Sequence, residues 1–478
     1  MKPTVRVRFA PSPTGHLHIG NARTAILNWI FARKHQGVFV LRIEDSDRER
    51  STASAEPAIL EDLQWLGLNW DEGPQVGGDH GPYHQSQRLH LYTEYLNVLR
   101  TQGNAYPCYC KEEELEAKRQ VALQRGENPR YDQKCLSLST DEIRSFEKEG
   151  RKPVWRFRAR QGEVKWEDLL KGEISFDGES FGDFVVVRPD GAPVYNFAAV
   201  VDDGLMKITH VIRGDDHVSN TPKQILIHEA FGWPLPQFCH IPMILGPDRT
   251  RLSKRHGATS MAELRIKGYL PKALINFLSL LSWSAESGDE VLPLERIIAE
   301  FDTKRMSKSP ALFDPLKLNW MNGIYIRDMA IDELVQAALP FLQDSSLDTS
   351  HEFQLQKALE LTRGGIETLS QFPEALEPFF RQQVQLTDGE AIEIASRDSS
   401  QKIYWAFLRL LQNYDSMDSA TFRMIMKQLQ KETGIMGNEL WVPIRVALMG
   451  RVHGPDLPAS AEILGKQKCE RFVRSLVY

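Results

Sequence analysis

The feature that most constrains this chain is the stretch 9–21, FAPSPTGHLHIGN, with the apolar segments on either side of it. Residues 5–9 alternate between apolar side chains and arginine, which is the period-two pattern of a strand. The prolines that follow cannot continue a strand ladder, and the Thr-Gly pair favours a tight turn. From Gly20 onward apolar residues recur at helical spacing, and 38–43 is an apolar run broken only by Arg42, typical of a strand buried on both faces. The pattern therefore predicts a parallel βαβ unit.

The edge of that unit is a candidate nucleotide site, because parallel sheets bind ligands beyond the carboxyl ends of their strands. The N-terminus of the predicted helix offers free N–H groups and a positive dipole end to a phosphate. His18 can donate a hydrogen bond to a phosphate oxygen, and Gly20 leaves room for a nucleotide against the backbone. Arg8 lies near the end of the first strand and Glu44 just past the end of the second. The sequence thus predicts charged groups and a phosphate cradle around one crevice.

Joined to the preceding PSPTG, the tetrapeptide HIGN at 18–21 resembles the HIGH motif of class I aminoacyl-tRNA synthetases, in its glutamyl form. Asn21 takes the place of the motif's second histidine and can still donate a hydrogen bond. The run LRIEDSDRERS at 41–51 is also similar to the glutamyl family. The alternative is an ordinary proline-rich connection with a surface histidine. The resemblance implies an enzyme that uses ATP and Mg2+ to adenylate an amino acid before transferring it to tRNA.

The same resemblance implies an α/β fold with a Rossmann-like class I synthetase nucleotide-binding domain. It also implies an inserted acceptor-end-binding domain and an all-α C-terminal anticodon-binding region. Helical spacing near the end of the chain makes Trp405, Phe407, Leu408 and Leu411 expected core positions. The expected bounds are 1–89 and 194–250 for the two catalytic halves, 90–193 for the insertion, 251–323 for the KMSKS-like loop and stem-contact region, and 324–478 for the helical region.

An amino acid with an acidic side chain needs a forked, permanently charged partner, and arginine supplies two parallel hydrogen bonds. Arg213 ends a second apolar strand pattern, as Arg8 ends the first, and Glu44 is placed to face an ammonium group. Two arginines would also reject glutamine, whose amide NH2 would face N–H donors. On the residues alone, Arg213 could instead make a surface ion pair and Tyr195 could be a core ring. The resemblance implies a glutamate site formed by Arg8, Ala10, Ser12, Glu44, Tyr195 and Arg213. It implies an ATP site formed by His18, Gly20, Asn21, Asp216, Leu252 and Lys254, with His18 and Lys254 catalytic.

Two segments resemble the family's KMSKS loop, RLSKR at 251–255 and RMSKS at 305–309. A lysine in this loop can bring a compact positive charge to the departing pyrophosphate. The second segment is the closer literal match, but the first follows a predicted strand and the tripeptide GPD, where the nucleotide fold ends. Context therefore favours Lys254 over Lys308.

Cys108, Cys110 and Cys135 have spacing typical of a zinc site, because three thiolates could meet around a tetrahedral ion. No histidine lies near the third cysteine to complete the set. By resemblance to a truncated relative of the family, Tyr131 could supply the fourth ligand through its oxygen. The alternative is three free cysteines left from a lost site.

The composition excludes few functions. The 478 residues are 42% hydrophobic and 26% charged, a globular balance with material for about three domains. The net charge of −6 means that tRNA binding must rest on local basic patches rather than on a global field. Five cysteines, three of them close together, favour a reducing compartment, and no stretch predicts a secretory leader or a membrane span. The expectation is a soluble, cytoplasmic monomer that does not bind membranes.

Over the whole chain, the resemblance implies ATP-dependent attachment of L-glutamate to the 3′ end of tRNA(Glu) through a glutamyl-adenylate, with the tRNA bound first. Gly364 and Gly365 lie near the place where relatives that reject glutamine tRNA carry an arginine, so charging of tRNA(Gln) is a further expectation. Four alternatives remain: a glutaminyl enzyme, whose anticodon part is built of β-barrels; a truncated tRNA-modifying relative, which lacks the C-terminal half; a small-molecule nucleotidyltransferase; and a non-catalytic tRNA-binding module.

Overall fold

The computed structural model describes residues 4–46, 55–253, 255, 257, 259–343, 345, 347, 348, 351–386 and 388–477. The chain divides into two compact units. The first unit comprises Met1–Leu264 and Leu274–Asp314, and the second comprises Arg265–Ala273 and Pro315–Tyr478.

Within the described residues, the strands all lie in the first unit. In chain order they are β1 (Arg6–Phe9), β2 (Val38–Leu41), β3 (Ala105–Cys108), β4 (Val154–Phe157), β5 (Glu163–Asp168), β6 (Gly172–Asp177), β7 (Phe184–Val187), β8 (His210–Gly214), β9 (Gln237–Ile241), β10 (Ile244–Leu245) and β11 (Ala311–Leu312).

The α-helices occur throughout the described chain. The first ten are α1 (Ile19–Lys34), α2 (Ala55–Trp65), α3 (Leu89–Thr101), α4 (Glu112–Gln124), α5 (Thr140–Lys148), α6 (Tyr195–Leu205), α7 (Thr221–Phe231), α8 (Met261–Ile266), α9 (Pro271–Leu280) and α10 (Leu294–Glu300). The second unit contains α11 (Pro315–Asp328), α12 (Ile331–Gln343), α13 (Glu352–Thr362), α14 (Phe372–Phe380), α15 (Gly389–Ser396), α16 (Asp398–Leu411), α17 (Ser419–Thr433), α18 (Asn438–Met449) and α19 (Leu457–Ser475). Within the described residues, no helix combines the length and apolar character that a membrane crossing requires.

The main sheet of the first unit has six strands in the order β2-β1-β8-β9-β5-β6. Neighbours from β2 to β5 run parallel, and β6 is antiparallel at the edge. The predicted βαβ unit is present as β1, α1 and β2, with Arg6 paired to Val38. Most of α1 is buried, which agrees with a sequence that has little polar face. The α/β fold prediction is therefore confirmed.

A hairpin formed by β5 and β6 extends this sheet, although both strands lie in the segment 90–193 that was predicted as an insertion. Side chains on β5 alternate between exposed and buried, with Val164, Trp166 and Asp168 buried. Such alternation suits a strand with one covered face. β3, β4 and β7 form a separate antiparallel sheet. The bounds of the insertion stay a prediction, but two of its strands belong to the main sheet.

The second unit is helical wherever the structure describes it, as predicted for the anticodon-binding region. Its helices enclose a hydrophobic core that includes Phe407, Leu408 and Leu411. The expectation that Trp405 also belongs to the core is wrong, because its ring is 59% exposed. On α16 the buried stripe runs through Tyr404 and Phe407, and helical geometry places Trp405 beside that stripe, toward solvent.

Candidate active site

A crevice of about 570 Å³ opens beyond the carboxyl ends of β1 and β8 in the first unit. The proline-containing turn after β1 and the first turn of α1 form one wall, and 243–252 contributes to another. Every residue predicted to bind glutamate or ATP that the structure describes lines this crevice: Arg8, Ala10, Ser12, His18, Gly20, Asn21, Glu44, Tyr195, Arg213, Asp216 and Leu252. Lys254 lies outside the described residues. The ligand that each of these residues binds stays a prediction.

The first turn of α1 has the features of an anion-binding site. His18 is the N-cap residue in extended conformation, and no acidic side chain lies in the first turn. The Ile19 N–H donates to the carbonyl of Thr259 at 2.9 Å, whereas the N–H groups of Gly20 and Asn21 have no partner in the described part of the chain. A Cβ at Gly20 would meet nothing within 4 Å, so the space above the backbone is open. Free N–H groups at a positive helix end beside open space fit a phosphate.

Two buried guanidinium groups also line the crevice, Arg8 and Arg213, each 5% exposed. The Arg8 Nε lies 3.3 Å from Asp203 Oδ1, and its two Nη groups have no hydrogen-bond partner among the described residues. No carboxylate of the described chain forms a salt bridge with Arg213. Burial lowers the pKa of Arg213, and the Arg8 charge adds to this effect, whereas Tyr195 and the more distant Asp203 carboxylate oppose it. A buried cation without an acidic partner is costly, and a bound carboxylate would relieve that cost.

Glu44 brings the opposite charge to the same crevice. Its Oε1 accepts a hydrogen bond from Arg42 Nη2 at 3.1 Å. Burial raises the pKa of Glu44, and the neighbouring charges of Arg42 and Arg8 offset this only in part. A bound ammonium group would favour the ionised carboxylate.

Sequence reasoning missed the buried charges that hold these groups. Arg42 is fully buried, with Nη1 2.7 Å from Asp203 Oδ1, and Arg88 Nε lies 2.6 Å from Asp202 Oδ1. Asp203 therefore joins Arg42 to Arg8 beneath the crevice. The sequence does contain a pattern that indicates these buried charges. Two consecutive aspartates, at 202 and 203, follow the apolar run FAAVV in a helix. Carboxylates in such a run are buried only if they are paired.

A further missed residue, Arg23, lines the crevice from α1. Its side chain is 3% exposed, and it donates to Ser282 Oγ at 3.0 Å and to the carbonyl of Pro242. Burial lowers the pKa of Arg23 to about 10, although Asp215 raises it. Arg23 thus stays charged near neutral pH and ties α1 to the chain just before β10.

The two KMSKS-like segments occupy different places in the first unit. Arg251 and Leu252 line the crevice, and Leu252 N–H donates to the carbonyl of Ile244 at 3.3 Å. The rival segment 305–309 is instead bound to the chain after α9, with the Ser307 N–H donating to the carbonyl of Ser282 at 2.7 Å. Lys308 is exposed and does not line the crevice. This placement supports the choice of 251–255.

The three cysteines of the segment 90–193 come together away from the crevice. The sulfur atoms of Cys108, Cys110 and Cys135 lie within 4.8 Å of one another. The Tyr131 hydroxyl is 3.3 Å from Cys108 Sγ and 3.6 Å from Cys110 Sγ. Burial opposes ionisation of Cys108, but hydrogen bonds from Tyr131 and Arg156 outweigh it and lower the pKa of that thiol. Three sulfurs and one oxygen converging on one point fit the donor set of a tetrahedral zinc ion.

Parallel strands whose ends share a crevice with the HIGN turn, lined also by Arg251 and Leu252, fit the nucleotide site expected of a class I aminoacyl-tRNA synthetase. Two family models agree with this class. The model described as tRNA synthetases class I (E and Q), catalytic domain, matches residues 4–320. The model described as anticodon binding domain matches residues 333–474.

Relatives that match over nearly the whole chain show which family within this class the protein resembles. Glutamate-tRNA ligase 1 of Caldicellulosiruptor saccharolyticus is 46% identical over 469 residues, which cover 97% of each chain. Glutamate-tRNA ligase of Sulfurihydrogenibium sp. is 46% identical over 473 residues, 98% of this chain and 99% of that protein. The crystal structure of a glutamate tRNA ligase from Elizabethkingia meningosepticum, in complex with its amino acid, is similar over 99% of each chain, with 30% identity and a TM-score of 0.92. The chain belongs to the bacterial glutamate-tRNA ligase family.

Proposed function

We propose that this crevice activates L-glutamate with ATP and transfers it to the 3′ end of tRNA(Glu). An α-carboxylate oxygen of glutamate attacks the α-phosphorus of ATP, and the bond from that phosphorus to pyrophosphate breaks. A hydroxyl of the terminal ribose then attacks the acyl carbon, AMP leaves, and the hydroxyl proton is released. Neither step needs a nucleophile from the protein, so catalysis rests on alignment and charge.

The observation that carries this proposal is the pair of buried guanidinium groups, Arg8 and Arg213, in one crevice with a free helix N-terminus. The arginines hold the side-chain carboxylate of glutamate, and Glu44 faces its ammonium group. Ala10, Ser12 and Tyr195 form the surrounding wall. Glutamine is rejected because its amide NH2 would meet buried N–H donors that need an acceptor.

The phosphates of ATP lie at the start of α1, against Gly20 and the N–H groups that have no partner in the described chain. His18 and Asn21 donate to phosphate oxygens, Asp216 binds the ribose, and Leu252 packs near the nucleotide. Lys254 stabilises the negative charge of the departing pyrophosphate. Mg2+ bound to the phosphate oxygens would supply further charge neutralisation when present.

Pyrophosphate exchange with and without tRNA tests this function. Exchange should require glutamate and should appear only when tRNA(Glu) is bound, as the family implies. Exchange that depends on glutamine would instead support a glutaminyl enzyme. Exchange without any tRNA would contradict the tRNA requirement, and charging of tRNA(Glu) would still show the second step.

We also infer that Cys108, Cys110, Tyr131 and Cys135 hold a zinc ion. The convergent sulfurs and the phenolic oxygen support this, and the ion would be structural because it lies away from the crevice. Such an ion would fix the loop after β3 relative to Tyr131, and it would take no part in adenylation.

The proposal also covers the range of tRNA substrates and the oligomeric state. We infer that the enzyme charges tRNA(Gln) as well as tRNA(Glu), because Gly364 and Gly365 cannot present a side chain to an anticodon base. We infer a monomer, since the first unit by itself contains the described residues that we assign to glutamate and ATP. Light scattering after gel filtration would test the monomer directly, and a dimer mass would contradict it.

A further inference from the structure

A buried pair of titratable residues lies behind Arg213. Asp168, the last residue of β5, and His240 on β9 are fully enclosed, with Nδ1 of the imidazole 2.6 Å from Asp168 Oδ2. The strands that carry them are neighbours in the main sheet. Neither residue lines the crevice. They can therefore act on a ligand only through another side chain.

The chemistry of the pair fixes which ring nitrogen carries the proton. Asp168 Oδ1 accepts from the N–H groups of Leu170 at 3.0 Å and Lys171 at 2.9 Å. Burial opposes ionisation of Asp168, but these bonds and His240 outweigh it and lower the pKa of the carboxyl. A carboxylate only accepts, so His240 must donate from Nδ1. Burial lowers the pKa of His240, which leaves the ring neutral with a lone pair on Nε2.

The lone pair on His240 Nε2 accepts a hydrogen bond from Arg213 Nε. Arg213 Nε lies 3.2 Å from His240 Nε2, and Arg213 Nη2 donates to Thr221 Oγ1 at 2.9 Å. A guanidinium has no acceptor, so the contact with His240 exists only in the tautomer that Asp168 imposes. The Nε–Nη2 edge of Arg213 is thereby occupied by protein. Arg213 Nη1 also donates to the Tyr195 hydroxyl at 3.4 Å. The Nη1–Nη2 edge still has one N–H on each nitrogen for a carboxylate, which can accept two parallel hydrogen bonds there.

We propose that Asp168 and His240 are positioning residues that set the orientation of Arg213 for the side-chain carboxylate of the amino acid. This inference rests on the proposed function, in which Arg213 binds glutamate. It gives a role to the hairpin of β5 and β6, which supplies Asp168 from within the segment 90–193. The glutamate pocket is thus complete only when that hairpin has joined the main sheet.

Asp168→Asn tests the tautomer, because the substitution keeps size and shape. The amide oxygen would still accept from Leu170 and Lys171, and the amide NH2 would face His240 Nδ1. The imidazole would then carry its proton on Nε2, opposite the Arg213 Nε–H and 3.1 Å from Thr221 Oγ1, the oxygen to which Arg213 Nη2 donates. Arg213 would lose its acceptor on His240 and would compete with the imidazole for Thr221. The KM for glutamate should rise about tenfold or more, the effect of losing one hydrogen bond to a charged group. The KM for ATP should change less than about twofold. Glu167→Gln, which removes an exposed carboxylate from the same strand, is the matched control and should change neither constant.

A second pair of variants keeps the test decisive if Asp168→Asn does not fold. His240→Gln retains an acceptor near the Nε2 position, whereas His240→Asn loses it. The KM for glutamate should therefore be nearer the wild-type value in His240→Gln than in His240→Asn. Equal values in the two, or equal rises in the constants for glutamate and ATP, would show a purely structural role and overturn the inference.

Arg213→Ala separates this inference from the function on which it rests. If Arg213→Ala leaves the KM for glutamate unchanged, the proposed glutamate site itself is wrong. If Arg213→Ala raises that constant while Asp168→Asn and His240→Asn do not, the glutamate site stands and the positioning role fails. A rise in all three variants supports both.

Discussion

Glu44 shows at the residue scale how burial sets the chemistry of the crevice. Its carboxyl group lies between Arg42 and the open space, and burial raises its pKa despite the arginines. A raised pKa means that the group takes up a proton at a higher pH than an ordinary glutamate. Since only the ionised form can pair with an ammonium group, this carboxyl links amino-acid binding to pH.

The KM for glutamate should accordingly rise on acidification before pH reaches about 4.3, the ordinary pKa of a glutamate side chain. The substrate keeps its ammonium charge in this range, and its own side-chain carboxylate titrates at about pH 4.3 in both enzymes, so the comparison of wild type with Glu44→Gln assigns the change. Glu44→Gln should raise the KM for glutamate at pH 7.5 and make it nearly independent of pH. Steady-state exchange kinetics from pH 5.5 to 8 would measure this, with the KM for ATP as internal reference. Identical pH profiles for wild type and Glu44→Gln would disprove the assignment.

The two candidate lysines separate at the same scale. Lys254→Ala should lower the rate of glutamate-dependent pyrophosphate exchange by roughly a hundredfold or more. The reason is that the lysine ammonium would no longer stabilise the negative charge on the leaving pyrophosphate. Lys308→Ala is the matched control, since Lys308 is exposed and lies away from the crevice. The exchange rate of Lys308→Ala should stay near that of the wild type. If Lys308→Ala were slow and Lys254→Ala normal, Lys308 and not Lys254 would be the catalytic lysine.

At the scale of elements, α1 serves both the core and the crevice. Its body is buried, while its first turn faces open space with N–H groups that the described chain leaves without partners. Gly20 lies in that turn in ordinary helical conformation, and no described residue comes close enough to require its small size. We therefore expect the glycine to serve ligand binding and not folding.

Gly20→Ala should leave the protein folded, with stability unchanged or higher by up to about 0.5 kcal/mol, because alanine favours helices over glycine. The KM for ATP should rise roughly tenfold or more, since the new methyl group fills space reserved for the nucleotide. Gly389→Ala, at the first residue of α15, is a control whose Cβ also meets nothing. Thermal melts and exchange kinetics on both variants would decide. A normal KM for ATP in Gly20→Ala would place the nucleotide elsewhere.

The proposed zinc site lies at the end of β3 and in the loops that follow it. Purified protein should carry about one equivalent of zinc, and Cys110→Ser should bring that content well below one. Tyr131→Phe should weaken binding, so that a mild chelator removes the metal faster than from wild type. Cys469→Ser, on α19, should leave zinc content unchanged. Metal analysis after gel filtration measures all three, and a zinc-free wild type would leave the cysteines as free thiols.

At the scale of the whole molecule, the second unit contains residues 333–474, which the anticodon binding domain model matches. Arg363 is already engaged, with Nη1 donating to the carbonyl of Met329 at 2.9 Å and Nη2 to Glu360 Oε1 at 2.7 Å. A Cβ at Gly364 or Gly365 would meet nothing within 4 Å. The position thus has room for a side chain that the sequence does not supply.

The wild-type enzyme should charge tRNA(Gln) and tRNA(Glu) at comparable rates. Gly365→Arg should reduce charging of tRNA(Gln) by about tenfold while tRNA(Glu) is charged normally, because an arginine can discriminate one base edge from another. Gly365→Ala, which adds volume without a donor, is the control. Acylation assays with both tRNAs would measure the ratio, and a wild-type preference for tRNA(Glu) alone would end the proposal.

The βαβ unit, the turn between its first strand and helix, and the helical character of the second unit were predictable from the sequence. Periodicity, proline and glycine act between neighbouring residues, so the βαβ unit at 5–43 and the helical second unit follow from local patterns. Even there a single residue could be misplaced, as the exposed Trp405 shows. The tertiary structure alone brought Asp203 to Arg8, 195 residues away, and placed Asp168 and His240 behind Arg213. The physical reason is that buried charges are held by partners from distant segments, and no local pattern specifies which segments will meet.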